Sequence, residues 1–105
     1  MAEILRSYRS MGIPLMITEN GVATDDEELR ADYLKAHLRA MAEAMREGIP
    51  VVGYLHWSLM DNYEWALGFG PRFGLAEVDF ATQERRPRAV AGIYAETCRT
   101  GLLPA

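Results

Sequence analysis

The sequence predicts an α/β fold in which two strand–helix units follow each other along the chain. A repeated tripeptide and two helical patterns indicate this order. Gly-Ile-Pro occurs at residues 12–14 and again at 48–50, each time after a helix-like segment and before an apolar run. Glycine suits the left-handed position just past a helix end, and a following proline cannot continue the helix.

The segment between the two repeats is the clearest helix. Residues 24–27, Thr-Asp-Asp-Glu, have the pattern of a capping box, with acidic groups at the positive end of the helix dipole. Leu34, Leu38, Met41 and Met45 then recur at helical spacing. We interpret this stripe as core packing and not as a cofactor site.

Two apolar runs predict buried strands, the first at residues 15–17. The second, VVGYLHWSLM at 51–60, is apolar on both alternations, as in a parallel strand buried on both faces. Residues 73–80 alternate well enough for a short strand or hairpin. The last helix is expected to begin near Pro87 and to end at Gly101.

This order of elements predicts parallel strands with helices outside them. Two strands alone cannot form a parallel sheet with both faces covered, although 105 residues are enough for one small domain. We therefore expect a piece of a larger fold. Its exposed inner faces, at 15–18 and 51–59, should favour self-association or pairing with a complementing fragment.

Composition excludes several classes of function. The net charge is -4 with acidic and basic residues interleaved, so we expect no nucleic-acid partner. No apolar run approaches the roughly 20 residues of a membrane span, and the N-terminus resembles no secretory signal. Cys98 is the only cysteine, which fits a reducing, cytoplasmic location. No metal-ligand cluster or phosphate loop is present, so we expect neither metal nor cofactor.

Reactive side chains in α/β proteins lie at the carboxyl ends of the strands. Glu19 follows the first apolar run, in Thr-Glu-Asn-Gly at 18–21. It is either a solvated turn residue or a functional carboxylate. Glu64, on the loop after the second strand, raises the possibility of a paired-carboxylate site. Retaining glycoside hydrolysis needs two such groups about 5 to 5.5 Å apart.

The loop after the second strand is rich in aromatic residues. Residues 54–73 hold six of the ten aromatics, including both tryptophans, mixed with Asp61, Asn62, Glu64 and Arg72. Aromatic faces beside carboxylates and amides suit a sugar, whose C–H face stacks while its hydroxyls donate. The alternative, which composition leaves open, is that the aromatics are core and the polar groups form turns.

The two histidines and a basic segment have simpler interpretations. His37 lies among charged residues of the long helix and is expected to be solvated. His56 lies within the second strand, where we expect a hydrogen-bonded core histidine. QERRPR, at residues 83–88, is interpreted as a solvated basic patch.

Two long motifs carry a specific resemblance. ITENG, followed by GYLHWSLMDNYEWALGFGPRFGLAEVDF, strongly resembles the C-terminal end of family 1 glycoside hydrolases. These are β-glucosidases and β-galactosidases built on a (β/α)₈ barrel. The resemblance covers nearly the whole chain. It implies that residues 1–105 are the last quarter of such a barrel, with strands seven and eight.

The resemblance also implies a role for each matching residue. Glu19 matches the catalytic nucleophile, and Trp57 the tryptophan that stacks under the sugar. Glu64 and Trp65 match residues that bind sugar hydroxyls, and Phe73 an aromatic at the pocket edge. Glu64 would then not be the second catalytic carboxylate. Its charge would repel a 6-phosphate, so a plain β-glucoside or β-galactoside is the expected substrate.

The chain departs from the family pattern in its length and in one motif. A complete barrel needs about 250 residues, and the Asn-Glu-Pro motif that carries the family's general acid/base is missing. We therefore expect the chain alone to be weakly active or inactive. The alternatives are a sugar-binding module without chemistry and a fragment that complements a partner supplying the rest of the barrel.

Overall fold

The computed structural model describes all residues, 1–105, and the predicted α/β fold is confirmed. Two strands form a parallel pair, a short antiparallel hairpin follows, and helices flank them. In chain order the elements are α1 Ala2–Ser7, β1 Leu15–Asn20, α2 Glu27–Arg46, β2 Val51–His56, β3 Ala76–Val78, β4 Arg85–Pro87 and α3 Ala89–Thr100. None of these helices has an apolar stretch long enough for a bilayer.

The two parallel strands end at the same edge of their sheet. Leu15 lies opposite Val51, and Asn20 lies opposite His56. The ladder is irregular between Ile17 and Asn20, so Thr18 and Glu19 lie where the pairing is interrupted, and it resumes at Asn20. This edge places the loop that follows β1 beside the loop that follows β2.

Helix α2 begins at Glu27, two residues later than a cap at Thr24 would place it, because Asp26 is the capping residue. Asp26 accepts hydrogen bonds from the backbone N–H groups of Glu28 and Leu29, both at 3.0 Å. The Thr24 hydroxyl accepts from the Asp26 N–H instead, so the predicted capping box is wrong in its capping residue. Asp26 still satisfies two free N–H groups of the first turn.

Residues 73–80 contain the predicted short strand, β3, but its hairpin partner β4 lies beyond them, in the segment interpreted as a solvated patch. β3 and β4 pair antiparallel, with Ala76 opposite Pro87. Helix α3 begins at Ala89, two residues beyond Pro87, because Pro87 belongs to β4 and not to the first helical turn; it ends at Gly101, whose φ of 70° is left-handed. Only glycine adopts that conformation without strain.

The core is small and lies between the sheet and the helices. One cluster packs β1 and β2 against α1 and α2, and the other packs α2 against α3 and Leu75. The prediction that β2 is buried on both faces is wrong, because Val52 is 69% exposed and Leu55 48%. No further strand covers that face. Met16 of β1 is likewise 51% exposed.

Candidate active site

Glu19 lies one residue before the end of β1, with its side chain exposed. It lines an open depression of about 280 Å³ together with Asn20, Gly21, Tyr33 and Trp57. Gly21 is required where the two loops meet, because a Cβ there would lie 1.7 Å from the Trp57 carbonyl oxygen. The structure thus brings Glu19 and Trp57 to one surface.

Trp57 is held by two hydrogen bonds, one from its backbone N–H and one from its indole N–H. Its backbone N–H donates to the Asn20 carbonyl at 3.0 Å, which links it to the end of β1. Its indole Nε1–H donates to Glu64 Oε1 at 3.1 Å. Glu64 is held in turn by its own N–H, which donates to the Gly68 carbonyl at 2.7 Å. The indole and the Glu64 carboxylate therefore restrain each other's orientation through this hydrogen bond.

Three predicted site residues lie outside this depression: Trp65, Phe73 and Glu64, which reaches it only through its hydrogen bond to Trp57. Trp65 is 82% exposed in a short 3₁₀ turn, Trp65–Leu67, with a positive φ of 48°. Phe73 is half-buried, and its carbonyl accepts from the Ser58 N–H at 3.3 Å. Within the predicted set, Glu19 and Trp57 therefore share a surface, and Glu64 is linked to Trp57 by a hydrogen bond.

Asp61 is not available to a sugar, contrary to its place in the polar set of the aromatic loop. Its carboxylate is fully buried and receives two hydrogen bonds from Arg88, at 3.1 and 2.9 Å, and one from the Gly74 N–H at 2.9 Å. Burial alone would raise the pKa of Asp61, but the hydrogen bonds from Arg88 and Gly74 hold it below its ordinary value. The interpretation of residues 83–88 as a solvated patch is therefore wrong for Arg88.

Sequence reasoning missed Arg30, which is 1% exposed. Its guanidinium donates to the carbonyl of Arg72 at 2.8 Å and to that of Thr24, and Glu27 pairs with it at 3.3 Å. It thereby ties the loop after β1 to the aromatic loop. A single arginine in an amphipathic helix gives no signal of such a role, because the pattern does not reveal which carbonyls surround it.

Both histidines differ from their expected environments. His37 is not a solvated helix residue, because its Nδ1 lies 2.7 Å from Asn20 Oδ1. His56 is half-buried with both ring nitrogens out of contact with solvent, but neither nitrogen has a hydrogen-bond partner in the chain. Burial lowers the pKa of both imidazoles. Both therefore stay neutral near neutral pH.

A fixed indole beside carboxylates at an open edge suits a carbohydrate ligand, and this points to the class of glycoside hydrolases. Residues 1–101 match the model of glycosyl hydrolase family 1, and the chain belongs to that family.

Individual relatives agree with this assignment. A β-galactosidase of Sulfolobus acidocaldarius is 44% identical over 101 residues, which make up 96% of this chain and 21% of that protein. β-Glucosidase A of Thermotoga maritima is 49% identical over 78 residues, 66% of this chain and 18% of that protein. The β-glycosidase from Pyrococcus horikoshii superposes with a TM-score of 0.96 at 48% identity, covering 99% of this chain and 25% of that one.

The chain thus spans only 18 to 25% of the length of these three relatives. The solved neighbours are family 1 β-glycosidases, which are (β/α)₈ barrels. The chain has the fold of a partial segment of such a barrel.

Proposed function

We propose that the chain supplies the nucleophile half of a retaining β-glycosidase site, with Glu19 as the nucleophile. The observation that carries this proposal is the position of Glu19, exposed at the end of β1 beside the fixed indole of Trp57, in a chain of this family. A carboxylate placed at a strand end can reach the anomeric carbon of a bound sugar.

The reaction proceeds in two displacements. A Glu19 oxygen bonds to the anomeric carbon while the bond to the leaving oxygen breaks, and a general acid protonates that oxygen. Water then attacks the anomeric carbon of the glycosyl-enzyme, the group that was the acid takes the water proton, and Glu19 leaves as a carboxylate. The sugar keeps its configuration because it is inverted twice.

The remaining predicted residues hold the sugar. Trp57 offers its indole face to the C–H face of the ring, and its bond to Glu64 keeps that face from rotating. Glu64 and Trp65 accept from and donate to the outer hydroxyls, and Phe73 closes the edge of the pocket. A β-glucoside or a β-galactoside is the proposed substrate. The names of the relatives include both activities.

We assign β1 and β2 to strands seven and eight of the barrel. Residues 1–105 contain no Asn-Glu-Pro motif, so the general acid and the other barrel strands must come from a partner or from a longer chain. An acid/base contributes roughly 10²–10⁴-fold to the rate. The isolated chain is therefore expected to be weakly active or inactive.

The test is hydrolysis of p-nitrophenyl β-glucoside by the chain alone and after co-expression with the first six units of a family 1 barrel. Activity restored by co-expression and lost in Glu19→Gln supports the proposal. Glu77→Gln, an exposed carboxylate on β3, is the matched control and should keep the activity. Restored activity that survives Glu19→Gln would overturn the assignment of the nucleophile.

A sugar-binding module is the second candidate function. The exposed aromatics of the loop favour it, since Trp65 is 82% exposed, Tyr63 55% and Phe69 52%. Titration of cellobiose against tryptophan fluorescence separates the two. Saturable binding by the isolated chain, with no turnover in any assembly, would support the module and count against the enzyme.

A further inference from the structure

The side chain of Asn20 joins three elements directly behind Glu19. Its Oδ1 accepts from the Tyr54 hydroxyl at 2.8 Å on β2 and lies 2.7 Å from His37 Nδ1 on α2. Its Nδ2 donates to the Tyr33 hydroxyl at 3.3 Å, also on α2. We call Asn20, Tyr33, His37 and Tyr54 the Asn20 network.

This network adds side-chain contacts at a strand end where the sheet pairing is interrupted. The β1–β2 ladder is irregular between Ile17 and Asn20, so Glu19 lies in the interrupted part of the pairing. Glu19 directly precedes Asn20 on the backbone. Holding the Asn20 side chain therefore restrains the placement of Glu19 as well.

Asn20 also reaches Trp57. Its carbonyl accepts the Trp57 backbone N–H at 3.0 Å, and the Trp57 indole continues to Glu64. A displacement of Asn20 therefore moves Glu19 through the strand and Trp57 through this hydrogen bond.

We propose that Asn20, held by Tyr54 and His37, is a positioning residue that sets the relative placement of Glu19 and Trp57. The proposal rests on the proposed function, in which Glu19 attacks a sugar stacked on Trp57. Neither Tyr54 nor His37 lies at the proposed sugar face, so their effect passes through Asn20. Burial raises the pKa of Tyr54, with smaller contributions from Tyr94 and Tyr33, so its hydroxyl remains a neutral donor.

The sharpest test compares two substitutions of His37. His37→Ala removes the imidazole and with it the contact between Nδ1 and Asn20 Oδ1, whereas His37→Asn places an amide N–H donor at nearly the same position as Nδ1. Alanine is the better helix former of the two. A role in helix stability alone therefore predicts that alanine is tolerated at least as well as asparagine, and a positioning role predicts the opposite order.

Kinetics are measured in the co-expressed assembly with p-nitrophenyl β-glucoside. We expect His37→Ala and Tyr54→Phe to lower kcat about 10-fold or more, since a shift of about 1 Å in a reacting group costs up to about 10²-fold. His37→Asn should recover most of the loss. Arg39→Ala, an exposed position on the same helix, is the control and should keep kcat. Equal kcat in the alanine and asparagine variants would overturn the proposal.

A second readout does not depend on turnover. With ¹⁵N-labelled tryptophan the chain gives two indole N–H resonances, and Trp65→Phe identifies that of Trp57. His37→Ala should shift the Trp57 resonance, and His37→Asn should return it towards its original position. An unmoved resonance would overturn the coupling even if Glu19→Gln abolishes activity. Activity that survives Glu19→Gln would instead refute the proposed function. The resonance shift would then still test whether Asn20 and His37 control the placement of Trp57.

Discussion

Asp61→Asn tests whether the buried ion pair with Arg88 holds the aromatic loop. The substitution keeps the shape of the side chain but replaces one acceptor oxygen by a donor. In either orientation that donor would face Arg88, together with the N–H of Gly74 or of Val78. Removing one partner of a buried pair costs about 3–5 kcal/mol. Arg88 retains Glu27 at 3.0 Å, so we expect the lower end, about 3 kcal/mol.

The assay is urea unfolding followed by tryptophan fluorescence, since both tryptophans lie in or beside this loop. Folded proteins have a free energy of unfolding of only about 5–15 kcal/mol, so a loss of about 3 kcal/mol should lower the urea midpoint substantially. Glu96→Gln is the control, because it removes the pair with Arg99 whose side chains are 60% and 71% exposed. Such pairs contribute little. The reasoning fails if the Asp61 and Glu96 variants unfold at the same urea concentration.

Three further perturbations follow from other features. Burial lowers the pKa of His56, so as the pH falls below the ordinary 6.5 the unfolded chain binds a proton more readily than the folded chain does. The urea midpoint should therefore be lower at pH 5 than at pH 7, and this decrease should be smaller in His56→Leu. Gly21→Ala forces a Cβ onto the Trp57 carbonyl and should cost about 1–3 kcal/mol in urea unfolding, whereas Gly92→Ala, on α3 with open space around its Cα, should be tolerated. Leu34→Ala, at 0% exposure, should cost about 2–5 kcal/mol in the same assay, and a loss no greater than that of Leu29→Ala, at 51% exposure, would contradict the packing argument.

The sequence predicts well those features that depend on local pattern. The glycines at 48 and 101 end α2 and α3, and the alternation at 73–80 marks the region of the β3–β4 hairpin. The two strands pair in parallel because the long helix between them acts as a crossover. The same rule places Glu19 near Trp57, since both lie at the carboxyl ends of the strands.

Pairings between distant polar residues could not be predicted in this way. Asp61 and Arg88 lie on different loops, and the basic and acidic residues around them offer several other partners. Asn20 is one of the residues of a turn motif, and nothing in the sequence assigns it to His37 or Tyr54. The apolar pattern of β2 predicts burial on both faces, which requires strands that these residues do not contain.

The position of Arg30 has a consequence for how the chain can be rearranged. Arg30 and the Thr24 N–H, in the first strand–helix unit, both bond to the Arg72 carbonyl in the second. The two units are thus interlocked at one end, and the chain passes from the first to the second through the exposed Gly48 turn at the other. A circular permutant opened at Gly48 would keep every contact between the site loops. A permutant opened between residues 61 and 74 would cut the aromatic loop itself. The hydrogen bond between the Gly74 N–H and the Asp61 carboxylate would then no longer close a continuous loop.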